Sequence, residues 1–255
     1  MLTVIPHQAT EILPPDPSSK VLDDGCGLGT VTAEVKKSFP DISVIAIDSS
    51  AGMLEVMNRK AKHHDWKNVE TKLLDGGDLT DIPSASITHA FACTYIDLAH
   101  NATACILELS RVTAPSGIIG LTTWADPYHP AISLPWVQAC RQLHPNFQPP
   151  LVTSPKWSTA AQIKKNLESA GFKDVETKQV KTHWHWSSAE EMVGWFFDGG
   201  NPVCGRWHEA LREEGFGGEM GELREGMRRE LEREYRSEGG RLVKEEMVNL
   251  TVARK

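Results

Sequence analysis

The stretch VLDDGCGLGT, residues 21–30, runs from an apolar strand through Gly25, Gly27 and Gly29 into a helix-forming segment. Glycines at alternate positions permit positive φ in a tight turn and let a ligand approach bare backbone where a Cβ would clash. A dinucleotide fingerprint, G-x-G-x-x-G, would need its third glycine at position 30, where Thr30 stands. The G-x-G-x-G spacing fits another nucleoside cofactor, S-adenosylmethionine. Asp48 closes the next apolar run, 19 residues beyond Gly29, where a carboxylate accepts hydrogen bonds from both hydroxyls of a ribose. Asp75 and Asp78 follow the third run, and either is placed to read an adenine edge. A glycine loop and two acids at the carboxyl ends of successive parallel strands mark the edge where such sheets bind ligands.

Working outward, short β-branched runs alternate with longer amphipathic stretches between residues 19 and 124. This is the pattern of a parallel sheet covered on both faces by crossover helices, an α/β, Rossmann-like fold. Strands are expected at Lys20 to Asp23, Ser43 to Asp48, Glu70 to Leu74, His89 to Cys93 and Gly117 to Thr123. Helices are expected at Gly29 to Ser38, Gly52 to His63 and Asn101 to Val112. Residues 128–157 are proline-rich and read as irregular; a helix from about Thr159 to Gly171 and a strand from Val175 to Trp186 follow. Ser188 with Glu191 fits a capping box. Met220, Leu223, Met227, Leu231 and Tyr235 recur at helical spacing as a buried stripe, and Met247 to Ala253 reads as a last edge strand. The expected organisation is one domain over 1–255, with a cofactor-binding half at 19–124, an acceptor-side half at 125–255 and a helical lid at about 187–240 before the last strand.

Composition narrows the function. The 255 residues are 40% hydrophobic and 24% charged, the balance of an ordinary globular protein. With 27 Lys and Arg against 34 Asp and Glu, the net charge is −7, and the cations are scattered, so nucleic acid is not an expected partner. No run reaches the roughly 20 apolar residues that span a bilayer, and the N-terminus lacks a basic region followed by an apolar one. Five cysteines, at 26, 93, 105, 140 and 204, form no C-x-x-C pair, which points to a reduced, cytoplasmic setting without structural zinc.

VLDDGCGLGT, IAIDSSAGML at 45–54, LLDGG at 73–77, LSRVTAPSGIIGLTTW at 109–124 and LESAGFKDVET at 167–177 resemble successive motifs of class I S-adenosylmethionine-dependent methyltransferases. The run from Asp48 to Trp124, above all SSAGMLEVMNRKAKHHDWKNVETK, is similar to fungal secondary-metabolism methyltransferases such as the gliotoxin bis-thiomethyltransferase. The resemblance implies a seven-stranded sheet with S-adenosylmethionine at its edge and S-adenosylhomocysteine as product. Its carboxypropyl arm would lie over Gly25, Cys26, Gly27 and Gly29, and its ribose on Asp48, beside Ser49. Met53 would pack on adenine, Asp75 with Gly76 would read its edge, Cys93 would flank the methionine moiety, and Asp23 would support the loop. The spacing from Asp75 to Pro83 keeps Asp78 as the alternative adenine reader. Only about 18 residues precede the first strand, fewer than family members usually carry, with HQATEILP as the remnant of a closing helix.

Methyl transfer depends chiefly on alignment, which contributes ~7–11 kcal/mol, so no obligatory base need show in the sequence. Candidate bases are Tyr95, His129, His144, His183 and His185. His183 and His185 share a strand face but lack an evident acid or third ligand, so no metal is expected. Cys26 reads as a small loop residue rather than a nucleophile. Seven of the eight tryptophans lie after residue 123, and Trp124, Trp195 and Phe196 are the candidates for lining the pocket of a small, hydrophobic acceptor. The rival reading is a methyltransferase-like regulatory or interaction protein that binds cofactor without methylating; a homodimer fits either.

Overall fold

A computed structural model describes residues 15–16, 18–126, 130–148, 151, 153–198, 202–213, 215, 217–237 and 242–255. The described residues fall into two compact units, one comprising those up to Ala125 with Pro155–Val180 and Val248–Lys255, the other those within 126–154 and 181–247. The segments 155–180 and 248–255, assigned by sequence to the acceptor-side half, belong to the first unit.

The strands are β1 (Lys20–Asp24), β2 (Ser43–Asp48), β3 (Val69–Leu73), β4 (Ile87–Cys93), β5 (Thr113–Trp124), β6 (Lys173–Trp186) and β7 (Leu242–Arg254). They form one seven-stranded sheet in the order β3-β2-β1-β4-β5-β7-β6. β1 pairs in parallel with both β2 and β4, so its carboxyl end lies between theirs. β7 runs antiparallel to β5, with Trp124 opposite Val248 and Ile118 opposite Arg254.

The first unit carries helices α1 (Thr30–Ser38), α2 (Ala51–His63), α3 (Ala102–Val112) and, after the next helix in the chain, α5 (Ala160–Ser169). Strand pleating decides which face each covers. Val21, Val44 and Phe91 cluster with Val31 and Val35 of α1, and Ala46 clusters with Leu54 and Met57 of α2. Their neighbours Leu22, Ile47, Ala90 and Ala92 point the other way, to Ile106 and Leu109 of α3 and Ile163 and Leu167 of α5. Both faces are therefore apolar, as a parallel sheet requires.

The second unit contains α4 (Pro130–Leu143), α6 (Ala189–Phe197), α7 (Pro202–Glu213) and α8 (Met220–Ser237). α4 lies where the sequence reads as irregular. Its prolines obscure a helical repeat of buried side chains, Ile132, Trp136, Val137, Ala139 and Cys140. Pro130 opens the helix, where its fixed φ suits the first turn, and Pro135 costs a single i→i−4 bond. Leu223, Met227 and Leu231 of α8 are buried as the stripe predicts, and Gly226 lets α8 approach closely, since a Cβ there would stand 3.3 Å from Ala139 Cβ.

The last strand is not an edge. β7 lies between β5 and β6, with residues 248–253 all buried, and β6 takes the outer position. Its polar side chains, which suggested a wet face, are satisfied inside: Asn249 Nδ2 donates to Ser158 O at 3.0 Å and Thr251 pairs with the Thr177 hydroxyl at 2.9 Å. No helix among the described residues is long and apolar enough to cross a membrane.

Candidate cofactor-binding site

The site is built where β1, β2, β3 and β4 end. Gly25, Gly27 and Gly29 all take positive φ, at 69°, 51° and 73°, a region that favours glycine. Each is needed for its own reason. A Cβ on Gly25 would stand 2.6 Å from Tyr95 Cδ1, and one on Gly29 would overlap Met57 Sδ. A Cβ on Gly27 would meet nothing within 4 Å, so Gly27 presents bare backbone to open space. This is the cradle that the carboxypropyl arm of a nucleoside cofactor requires.

Asp48 is bound to this loop directly. Gly27 N–H donates to its Oδ2 at 2.9 Å and Ser50 N–H to its Oδ1 at 2.8 Å, while Cys26 N–H donates to Ile47 O at 2.8 Å. Each carboxylate oxygen keeps a lone pair for a ribose hydroxyl. Ser49 is exposed beside it, and Ser50 caps α2 by accepting from Met53 N–H at 3.3 Å, which sets Met53 in the first turn of that helix. Asp23 is buried, and its Oδ2 accepts from Thr32 N–H at 3.0 Å and Thr32 Oγ1 at 2.6 Å, locking the start of α1 to the end of β1. Burial pushes its carboxyl up to about 6 against those two bonds.

The turn after β3 places Asp75 and Asp78 differently. Asp75 Oδ1 accepts from Gly77 N–H at 2.7 Å, and its charge acts on Asp24 and Cys105. Asp78 accepts from Thr80 N–H at 3.3 Å and acts on Arg111 of α3 instead. Of the two acids left open by the sequence, Asp75 is the one that faces the strand ends.

Two residues of the site escape sequence reasoning or change role. Asp24, to which the sequence analysis assigns no role, is buried, accepts from Tyr95 Oη through Oδ2, and is pushed by burial up to about 7. Tyr95, a candidate base, instead donates to Asp24 with its ring over Gly25 and its hydroxyl where a Gly76 Cβ would stand. Its phenol is held well above the ordinary range by burial and by the charge of Asp24. The chain reaches it through Thr94, a β-branched residue at φ 56°, whose N–H donates to Thr122 O at 2.9 Å.

Cys26 and Cys93 are buried free thiols, both raised by burial with Asp23 as the next cause, so they stay protonated beside the loop. Trp124 is buried, its backbone N–H donating to Asp97 Oδ2 at 2.9 Å. In the second unit Phe196 is buried in a stack on Trp207 with centroids 5.4 Å apart, and Trp195 lies edge-on to it. His144 pairs with Glu219. His183 meets an acid the sequence did not reveal, Glu245 of β7 at 3.4 Å, which Lys181 also reaches at 2.8 Å. His185 is exposed with its ring 6.2 Å from that of His183. His129 and the HQATEILP segment lie outside the described residues.

Residues 21–117, which contain the loop, Asp48 and the β3 turn, match the family model described as Methyltransferase domain. That stretch of the chain is similar to methyltransferase domains. Methyltransferase ucsB of an Acremonium species is 28% identical to it over 174 residues, 63% of this chain and 58% of that protein. The chain thus spans less than two thirds of that relative's length. Among solved structures, the [4+2]-cyclase SpnF superposes with a TM-score of 0.59 at 17% identity, covering 98% of this chain and 80% of that one. Haemonchus contortus phosphoethanolamine N-methyltransferase 2, bound to phosphomonomethylethanolamine and S-adenosylhomocysteine, gives 0.57 at 15% identity, over 98% of this chain and 52% of that one. The fold is therefore the seven-stranded, mostly parallel one that the sequence motifs imply, with the glycine loop and Asp48 at the carboxyl edge of the sheet.

Proposed function

We propose that the chain transfers a methyl group from S-adenosylmethionine to a small, hydrophobic metabolite. The observation that carries this reading is the joined cradle: three glycines at positive φ, one open to solvent, with Asp48 hydrogen-bonded to the middle one at 2.9 Å. The bound donor supplies an electrophilic methyl on a sulfonium. The protein's part is to hold that methyl in line with an acceptor, which contributes ~7–11 kcal/mol without a base.

In this reading Gly25 to Gly29 carry the carboxypropyl arm, Asp48 orients the ribose, Met53 covers the adenine and Asp75 with Gly76 reads its edge. Cys93 flanks the thioether arm as a neutral thiol. Trp124, which closes β5, is the aromatic residue assigned to the acceptor, which suits a planar or apolar molecule.

Calorimetric titration with S-adenosylmethionine and S-adenosylhomocysteine tests the donor site. Micromolar binding is expected, with a loss of ~2–3 kcal/mol in Asp48→Ala, which removes charge-assisted hydrogen bonds to the ribose. An unchanged dissociation constant in that variant overturns the assignment. A second reading keeps the cofactor but not the methylation, and it is favoured by the fold likeness to a protein described as a cyclase. A mass gain of one methyl on candidate thiols, phenols or amines decides for transfer; tight donor binding with no acceptor methylated decides for the second reading.

A further inference from the structure

Four aspartates gather at the carboxyl edge of the sheet: Asp23 and Asp24 at the end of β1, Asp48 at the end of β2 and Asp75 past β3. The charges acting on Asp24 are those of Asp23, Asp75 and Asp48, all of one sign. Its uncharged neighbours are Tyr95 beyond β4, which donates to Oδ2, and Cys105 of α3, in hydrogen-bond contact with Tyr95. Among the described residues Asp23 accepts from two donors of Thr32, whereas Asp24 accepts from Tyr95 alone. Its other oxygen, Oδ1, is buried with no hydrogen-bond partner among the described residues and lies 2.9 Å from where a Gly76 Cβ would stand. A buried carboxylate walled by other carboxylates is costly unless positive charge is supplied to it.

We propose that Asp24, held by Tyr95, is a specificity-determining residue of the donor site that favours the sulfonium donor over the thioether product. The proposal rests on reading the cradle as an S-adenosylmethionine site. In the transfer the S–CH3 bond breaks with its electron pair left on sulfur, and the acceptor's own pair forms the new bond to carbon; any acceptor proton passes to solvent. The donor, with ammonium, carboxylate and sulfonium, carries one net positive charge, and the product carries none. An aspartate-walled edge therefore attracts the first more than the second, which helps the product leave. Burial holds Asp24 up to about 7, so the attraction is present above neutral pH and fades below it.

The test is calorimetry with S-adenosylmethionine and S-adenosylhomocysteine on the wild type, Asp24→Asn and Tyr95→Phe, at several values between about pH 6 and about pH 8. In the wild type the ratio of donor to product affinity should rise roughly fivefold over that range. In Asp24→Asn the rise should vanish with product affinity unchanged, because asparagine keeps an oxygen for the Tyr95 hydroxyl. The ligands' own titration is common to both proteins, so their difference isolates Asp24. Tyr95→Phe, which removes the bond that lowers the Asp24 carboxyl, should move the rise to higher pH. Equal weakening of both ligands, with the ratio following the wild-type course, would reduce Asp24 to a structural role and overturn the proposal. Failure of the wild type to bind S-adenosylhomocysteine overturns the cofactor reading itself, a separate outcome.

Discussion

Asp23 and Asp24 are adjacent on one strand, and the pleat sends them to opposite faces of the sheet. Asp23 meets the first turn of α1, where two donors and the helix N-terminus make a carboxylate useful. Asp24 meets Tyr95 and a second oxygen's worth of empty hydrogen-bonding capacity. The cost of this arrangement is measurable. Burial raises the Asp24 carboxyl to about 7 from an ordinary 3.8, so its folded form holds its proton more tightly than its unfolded form between those values. Stability from this group is therefore fully present below about pH 4 and lost as pH rises through about 7. Asp24→Asn should raise the thermal midpoint at about pH 8, by a free energy of at most about 4 kcal/mol, and change it little at about pH 4. A midpoint at pH 8 equal to or below that of the wild type would show that Asp24 is not a buried, destabilising charge.

At the scale of elements, the joints between secondary structures are held by single side chains. Lys36, in the last turn of α1, is buried and donates to Pro40 O at 3.2 Å, to Ile42 O and to Lys67 O at 2.5 Å. One ammonium thus ties the end of α1 to the entry of β2 and to the turn before β3. Lys36→Met should cost about 2–4 kcal/mol in denaturant unfolding, because three carbonyls lose their donor, whereas its exposed neighbour Lys37→Met should change stability by no more than about 0.5 kcal/mol. Equal effects in the two variants would discount the clamp. The start of α6 shows a similar local device with a variation. Ser188 Oγ accepts from Glu191 N–H at 3.1 Å, as a capping box predicts, but the Glu191 carboxylate reaches one residue further back, to the N–H and hydroxyl of Ser187, both at 2.6 Å.

At the scale of the molecule, the two units differ in how they are held. The sheet unit rests on aliphatic layers on either face of the strands. The helical unit is organised by aromatic rings, with Trp136 on Trp207 and Trp207 on Phe196, both pairs with centroids 5.4 Å apart. His208 lies in that aromatic layer, stacked on Phe197 at 4.9 Å, and burial followed by the Arg212 charge lowers it to about 4. A histidine lowered in this way contributes stability above its ordinary 6.5 that is lost as pH falls through about 4. Acidification should therefore loosen the helical unit first, read by fluorescence because five of the eight tryptophans (136, 184, 186, 195 and 207) lie there. His208→Gln should shift that transition to lower pH; an unchanged midpoint would show that another group sets it.

The amino-acid sequence by itself determined the alternation of strands and helices, the glycine loop and the acid that answers it after β2. Each of these is a local pattern: a run of apolar residues, a φ that favours glycine, a fixed number of residues from one strand end to the next. It also showed the buried stripe of α8, because helical spacing repeats within one element. It misplaced α4, where two prolines outweighed a sound apolar period, and it put β7 at an edge, because the partners of Asn249 and Thr251 lie at Ser158 and Thr177. Only the tertiary structure decided that Tyr95 is a donor to Asp24, 71 residues away, and that Asp75 faces the strand ends while Asp78 faces Arg111. A side chain's role here follows from which face the pleat gives it and what the neighbouring strand delivers opposite, and strand order in space is not written in the order of residues along the chain.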